Sequence, residues 1–243
     1  MESNHMSNST PVSLKAILFD FDGTLVDTKS FYFGLIADYL GTDHIKTISL
    51  ASEIIEAKLV PGDANVRWKI IKASYQVSRK MGFGIIRSLK AIWYLSQNHS
   101  KYFSSAKPTE GTTKGIIKLK ELGVQIGIIS YTSRKKILTF LFKYFQNSNI
   151  IPERNILAKG EFGKSKEAGI EKFIRSFDLV EQKYLCAIVG DLGGDILAGN
   201  NLGITTIGLT TGYASSKILK LTNPSKIFNS VIELAEAVEV PSN

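Results

Sequence analysis

Residues 16–19, Ala-Ile-Leu-Phe, run straight into Asp20-Phe21-Asp22-Gly23, so an unbroken apolar segment ends in two carboxylates one residue apart. A run with no polar position predicts a strand buried on both faces, as in a parallel sheet with helices packed against it. Asp20 and Asp22 then project from the strand's carboxyl end, which is the edge where open α/β sheets bind ligands. Gly23 lets the chain turn sharply just beyond them.

The later chain repeats this grammar. After Pro108, helical segments at 115–122, 133–145, 166–177 and 195–202 alternate with strand segments at 124–129, 155–158, 185–189 and 205–209, and a helix over 230–238 closes the chain. That alternation is the mark of a parallel sheet with helices on both faces. Between the first strand and this region only helical spacing is found. Phe31, Leu35, Ile36, Tyr39 and Leu40 recur with Gly41 as terminator, and a second helix is expected over 49–59, stopping before Pro61. A third is expected over 63–81, with Asp63 as cap, and a fourth over 85–103, carrying Ile86, Leu89, Ile92, Trp93 and Leu95. The expected organisation is a polar mobile tail at 1–13, an α/β core at 14–29 and 106–243, and a helical domain inserted at 30–105. With 243 residues and 44% hydrophobic content, the chain can bury a core of that size.

The net charge of +8 invites a nucleic-acid reading. Cations such as Lys114, Lys118, Lys120 and Lys143 sit at the spacing of solvated helix faces and no nucleic-acid motif accompanies them, which argues against that reading. Attraction of small anionic substrates fits better. No apolar run is long enough to span a bilayer, and residues 1–11 lack the apolar core of a secretory signal. A cytoplasmic protein with no membrane partner is the expectation, as a monomer or homodimer. Cys186 lies in an apolar run and is expected in the core.

Three further segments place polar chemistry at strand ends or loops. Ser130 follows Val124–Ile129, where its hydroxyl and the next backbone N–H groups could hold a phosphoryl oxygen. The loop Gly160-Glu161-Phe162-Gly163-Lys164-Ser165-Lys166 carries two lysines ahead of a helix, and one facing inward would offset anionic charge. Ile188-Val189-Gly190-Asp191 again drives an apolar strand into an aspartate, with Asp195 four residues on. Hard divalent cations take such oxygen ligands, and Mg²⁺ typically uses one or two carboxylates plus water and substrate phosphate.

The ordered set Asp20-Phe21-Asp22-Gly23-Thr24, Ser130, a lysine loop, and Gly190-Asp191 with Asp195 resembles the four motifs of the haloacid dehalogenase (HAD) superfamily, and the likeness extends over nearly the whole chain after the tail. The helical insert is similar to that family's cap of the first type, as in phosphoglycolate-phosphatase-like members. The resemblance implies a Rossmann-like α/β core and a Mg²⁺-dependent phosphatase acting on a small phosphorylated metabolite. It implies Asp20 as nucleophile, Asp22 as acid and base, and a metal held by the Asp20 carboxylate, the Asp22 backbone carbonyl and Asp191, with Asp195 behind them. Gly23, Ser130, Tyr131 and a lysine would bind the phosphoryl group. Lys164 is assigned as that lysine from the register of Ile170, Phe173 and Ile174, with Lys166 the alternative. Two departures stand out: Ser165 where the family often has proline, and Leu192 where a small residue is commoner. A sugar-phosphate mutase is the alternative activity, although such mutases carry a histidine early in the first cap helix, where this chain has Phe31-Tyr32-Phe33. A non-catalytic binding module is a third reading, against which the intact motifs argue.

Overall fold

The computed structural model describes residues 11–63, 66–101, 105–145, 150–163 and 165–241. The first ten residues of the expected tail and Lys164 are outside the described residues. Six strands form one parallel sheet in the order β4-β3-β2-β5-β6-β7, where β2 is Ala16–Phe19, β3 Gln125–Ile129, β4 Ile156–Leu157, β5 Cys186–Gly190, β6 Thr205–Leu209 and β7 Lys226–Phe228. A separate parallel pair joins β1, Val12–Ser13, to β8, Val238–Glu239, so these two residues of the expected tail are paired.

The alternation along β2 explains its unbroken apolar sequence. Ile17 and Phe19 enter a cluster with Ile116 and Leu119 of α5 (Thr112–Glu121), Ile137 and Phe140 of α6 (Arg134–Phe145) and Leu234 of α10 (Val231–Ala237). Ala16 and Leu18 enter the opposite cluster, with Ile170 and Phe173 of α7 (Lys166–Ser176) and Ala198 of α8 (Gly193–Leu202). Helices therefore cover both faces, as the sequence predicts, and all four residues of β2 are buried. Cys186 belongs to the second cluster, and burial pushes its thiol up to about 11. A short helix α9, Ser216–Lys220, precedes β7; neither it nor the three edge strands β1, β7 and β8 is predicted from the sequence.

Helices α1 (Thr28–Leu40), α2 (His44–Glu56), α3 (Arg67–Lys80) and α4 (Ile85–Asn98), which follow β2 and precede β3 along the chain, build a third apolar cluster. Gly41 closes α1 at φ 69°, a left-handed conformation that glycine adopts without strain. The second helix begins five residues earlier than its apolar pattern suggests, because the Asp43 carboxylate accepts the Lys46 N–H at 2.8 Å and caps a polar first turn. Asp63 does not cap the third helix. Its carboxylate accepts the Val60 N–H and pairs with Lys69. In α4 the buried side chains are Ser88, Ala91, Leu95 and Asn98, while Ile86, Leu89 and Trp93 are exposed. Small residues on the inner face let α4 lie close to α1 and α3.

Two chain crossings join this helical layer to the sheet, and they run side by side. The Asp27 N–H donates to the Lys107 carbonyl at 2.9 Å and the Thr109 N–H to the Leu25 carbonyl at 3.0 Å. The layer also rests on the start of α8. The Gly194 N–H donates to the Asp63 carbonyl at 2.8 Å, and a Cβ at Gly193 would lie 1.9 Å from the Pro61 carbonyl oxygen. Leu192 is buried in the third cluster, so its apolar side chain serves the contact between helical layer and sheet.

Candidate active site

Even-numbered side chains of β2 face α7 and α8, and Asp20 is the next even position, so it leaves the sheet on that side. Phe19 is paired with Val189, and the Asp20 N–H donates to the Val189 carbonyl at 2.8 Å. The ends of β2 and β5 are therefore level, and Asp191, one residue beyond β5, rises beside Asp20. Asp195 enters from the first turn of α8. One carboxylate oxygen from each of Asp20, Asp191 and Asp195 lies within 4.8 Å of the others, and all three residues are buried. β2 has β3 on one side and β5 on the other, which makes this the topological switch point where such sheets bind ligands.

Lys166 is the cation of the site. It opens α7 and shares the helix's buried face with Ile170, Phe173 and Ile174, the spacing of one helical stripe. Its ammonium donates to Asp20 Oδ1 at 2.5 Å and also to Asp195 Oδ1. Ser165 caps the helix, its hydroxyl accepting the Ala168 N–H at 3.4 Å. The periodicity that marks Ile170, Phe173 and Ile174 as core extends back to Lys166, which is the signal in the sequence that favours it over Lys164.

Among the described residues, three buried carboxylates share one ammonium, which leaves the site with surplus negative charge. Burial holds the Asp20 carboxyl well above the usual carboxylate range; Lys166 opposes this, and Asp195 and Asp191 reinforce it. Burial likewise pushes Asp191 up to about 7, against the Tyr213 N–H, which donates at 2.9 Å, and the Thr24 hydroxyl, which donates at 3.2 Å. Burial alone would lower the Lys166 ammonium, but the Asp195 and Asp20 carboxylates outweigh it and raise it. Converging all-oxygen donors with unbalanced negative charge fit a hard divalent cation such as Mg²⁺. The backbone is shaped around Asp191: a Cβ at Gly23 would come within 2.5 Å of its Oδ2, and one at Gly212 within 1.9 Å.

Asp22 lies beyond the strand and is half-buried. Its Oδ2 accepts the Thr132 hydroxyl at 2.6 Å and lies 3.5 Å from the Ser130 hydroxyl, which in turn accepts the Thr132 N–H at 3.0 Å. Ser130 is thus brought to Asp22, as its strand-end position suggests. Thr132 is a contact that the sequence reading misses, since a second hydroxyl in Ser130-Tyr131-Thr132-Ser133 reads as turn chemistry. The Tyr131 ring is 5.8 Å from the Lys166 ammonium and packs edge-on against Phe162.

The helical layer supplies a further group. The Tyr32 hydroxyl is 3.2 Å from His99 Nδ1, and the two rings stack with centroids 5.8 Å apart. Burial holds the Tyr32 phenol up, with Asp22 adding to it and Arg67 opposing. Burial holds the His99 imidazolium down, aided by Lys136 and Arg67. Tyr32, Arg67, His99 and Lys136 therefore share one electrostatic neighbourhood with Asp22. Arg79 and Arg87 line a different depression, beside Ile85, Ile86 and Lys90.

Comparisons with known proteins point the same way. A profile of the family described as haloacid dehalogenase-like hydrolase matches residues 17–209. The phosphoglycolate phosphatase of Photorhabdus laumondii is 26% identical over 249 residues, covering 98% of this chain and 97% of that protein. Among solved structures, a HAD family hydrolase from Deinococcus radiodurans with bound phosphate and sodium superposes at a TM-score of 0.66, with 18% identity over 93% of this chain and 97% of that one. A haloacid dehalogenase-like family hydrolase from Streptococcus pneumoniae gives 0.58, with 16% identity over 92% and 97%. At these identities the two structures speak to the fold alone.

Proposed function

The chain belongs to the haloacid dehalogenase-like hydrolase family, and from that premise we propose that it is a Mg²⁺-dependent phosphatase hydrolysing a small organic phosphate monoester through an aspartyl-phosphate. The observation that carries this reading is the buried cluster of Asp20, Asp191 and Asp195 with Lys166 as its cation. The near full-length likeness to a phosphoglycolate phosphatase supports the substrate class.

In this reading the Asp20 carboxylate attacks phosphorus and displaces the alcohol, which takes its proton from Asp22. Asp22 then removes a proton from water, which attacks the aspartyl-phosphate and frees phosphate and Asp20. The Thr132 hydroxyl holds the Asp22 carboxylate in place through its 2.6 Å bond. Lys166, Ser130 and the backbone N–H groups after Asp20 and Ser130, including that of Tyr131, hold the phosphoryl oxygens; the Gly23 N–H, expected among them, donates instead to the Val26 carbonyl at 2.9 Å. Mg²⁺, held by the Asp20 and Asp191 carboxylates and the Asp22 carbonyl with Asp195 behind, would supply the charge that lets an anionic nucleophile meet an anionic phosphate. We assign Lys166 the role first given to Lys164. The helical layer over 30–105 is the cap that excludes water and selects the substrate, with Tyr32, Arg67 and His99 on its site-facing side.

The test is phosphate release from an aryl phosphate and from a panel of phosphorylated metabolites. Release is expected with Mg²⁺ and is expected to fall by at least about 100-fold with chelator. Isomerisation of a phosphosugar without release would assign the mutase activity instead. Stability gives a second readout. Asp191 has a folded value near 7, above its ordinary 3.8. The stability tied to its proton is fully present below the unfolded value and is lost as pH rises through 7. Metal-free protein should lose about 2 kcal/mol from this group between about pH 5.5 and 8. Mg²⁺ should then raise Tm more at the higher pH, and an equal shift at both would count against a metal at Asp191.

The Thr132→Val variant keeps the shape and removes the donor to Asp22. A roughly tenfold lower kcat with KM within about twofold is expected. A change in KM alone would place Thr132 in substrate binding.

A further inference from the structure

The chain's positive charge is concentrated in one place. Of 30 Lys and Arg, nine fall between residues 64 and 109, and none of the 22 Asp and Glu does; the remainder of the chain, with 21 cations and 22 anions, is nearly neutral. This segment contains the hairpin of α3 and α4, and all nine cations except Lys69 are exposed. The impression of evenly scattered charge from the full sequence therefore does not hold for the folded surface.

The same hairpin shows water an apolar face. Ile85, Leu89 and Trp93 follow one another at four-residue spacing along α4, with Ile86 beside them, and all four are exposed, Ile86 at 73% and Trp93 at 63%. On a helix these positions cover an arc of about 100°, with Lys90 at its edge. Arg79, Ile85, Ile86, Arg87 and Lys90 line one shallow depression with Tyr39, so the basic and apolar groups are contiguous. A contiguous exposed apolar face marks an interaction site more often than scattered apolar residues do.

Charge decides between occupants. A second copy would bring two strongly cationic hairpins together, which like-charge repulsion opposes. A nucleic acid would be served by the cations but not by isoleucine, leucine and tryptophan along the centre of the face. A helix lying in a membrane interface has this pattern: an apolar arc with tryptophan sinks to the level of the headgroups, and flanking Lys and Arg meet anionic lipid. We propose that the α3–α4 hairpin is a docking surface for an anionic lipid bilayer, with Ile85, Ile86, Leu89 and Trp93 entering the interface. No helix among the described residues is long and apolar enough to cross a membrane, so the contact is peripheral.

The experiment is co-sedimentation of the full chain with vesicles of phosphatidylcholine alone, or with about one third phosphatidylserine. Binding is expected to be at least about tenfold stronger to the anionic vesicles and to weaken as salt rises. Ile86→Asp with Leu89→Asp, and separately Lys80→Glu with Lys90→Glu, should each weaken binding at least about tenfold while hydrolysis of a soluble aryl phosphate stays unchanged. In a Trp68→Phe background, Trp93 emission should shift to the blue on adding anionic vesicles. Absent binding, equal binding to neutral vesicles, or binding retained by the aspartate double variant would overturn the proposal. So would a dimer that the aspartate variant dissociates, which assigns the face to a second copy, or retention on duplex DNA without vesicle binding.

Discussion

The Asp20→Asn variant is expected to release phosphate at least about 10⁴-fold more slowly than wild type, with the fold intact. The amide keeps the shape and the Oδ1 acceptor for Lys166, so the hydrogen bond across the site survives. What it loses is the anionic nucleophile, and no neighbouring carboxylate replaces it, because Asp191 and Asp195 come from other elements and are engaged by Tyr213, Thr24 and Lys166. Removing one of three clustered carboxylates also relieves repulsion, so Tm in chelator should be no lower than in wild type. Phosphate assay and thermal melting together check this. Undiminished release would remove Asp20 from the chemistry, whereas a collapsed melting curve would mean that the variant tests only folding.

The Lys166→Met variant is expected to be costly twice over. Lys166 is 5% exposed, and among the described residues it is the cation that pairs with Asp20 and Asp195 of the three buried carboxylates. Breaking a buried ion pair by removing one partner typically destabilises by about 3–5 kcal/mol. In chelator the loss should be of that order near neutral pH, and it should shrink as pH falls and the carboxylates take up protons. Mg²⁺ should recover part of the stability and little of the activity, leaving release at least about 100-fold down. The parallel Lys164→Met variant is the control: a comparable loss there, with Lys166→Met active, would return the catalytic role to Lys164.

Much of the fold was legible residue by residue. The apolar tetrad 16–19 reads as a strand because an unbroken apolar run is what two buried faces require, and the helices after Ser30 and Pro108 are marked by the 3.6-residue spacing at which a packed helix buries side chains. Less legible were elements held by single contacts. The start of α2 depends on one capping carboxylate, Asp43, ahead of a turn with little apolar pattern. The exposed face of α4 was illegible for another reason. A row of large apolar residues reads as core, yet Ile86, Leu89 and Trp93 are exposed and the inward face is made by Ser88, Ala91, Leu95 and Asn98. Periodicity locates a face; it does not say which face finds a partner.

The candidate site divides in the same way. Asp20 and Asp191 follow from sequence alone, since an apolar strand that ends in Asp puts a carboxylate at the sheet's ligand-binding edge wherever the strand lies. Ser130 follows by the same argument. That Asp20, Asp191 and Asp195 converge within 4.8 Å, that Lys166 sits between two of them, and that Thr132 reaches Asp22 were decided only by the tertiary structure. These depend on β2 lying between β3 and β5 and on the angle at which α7 and α8 cross the sheet. Strand order and helix placement are properties of the whole packed core, and no local stretch of sequence contains them.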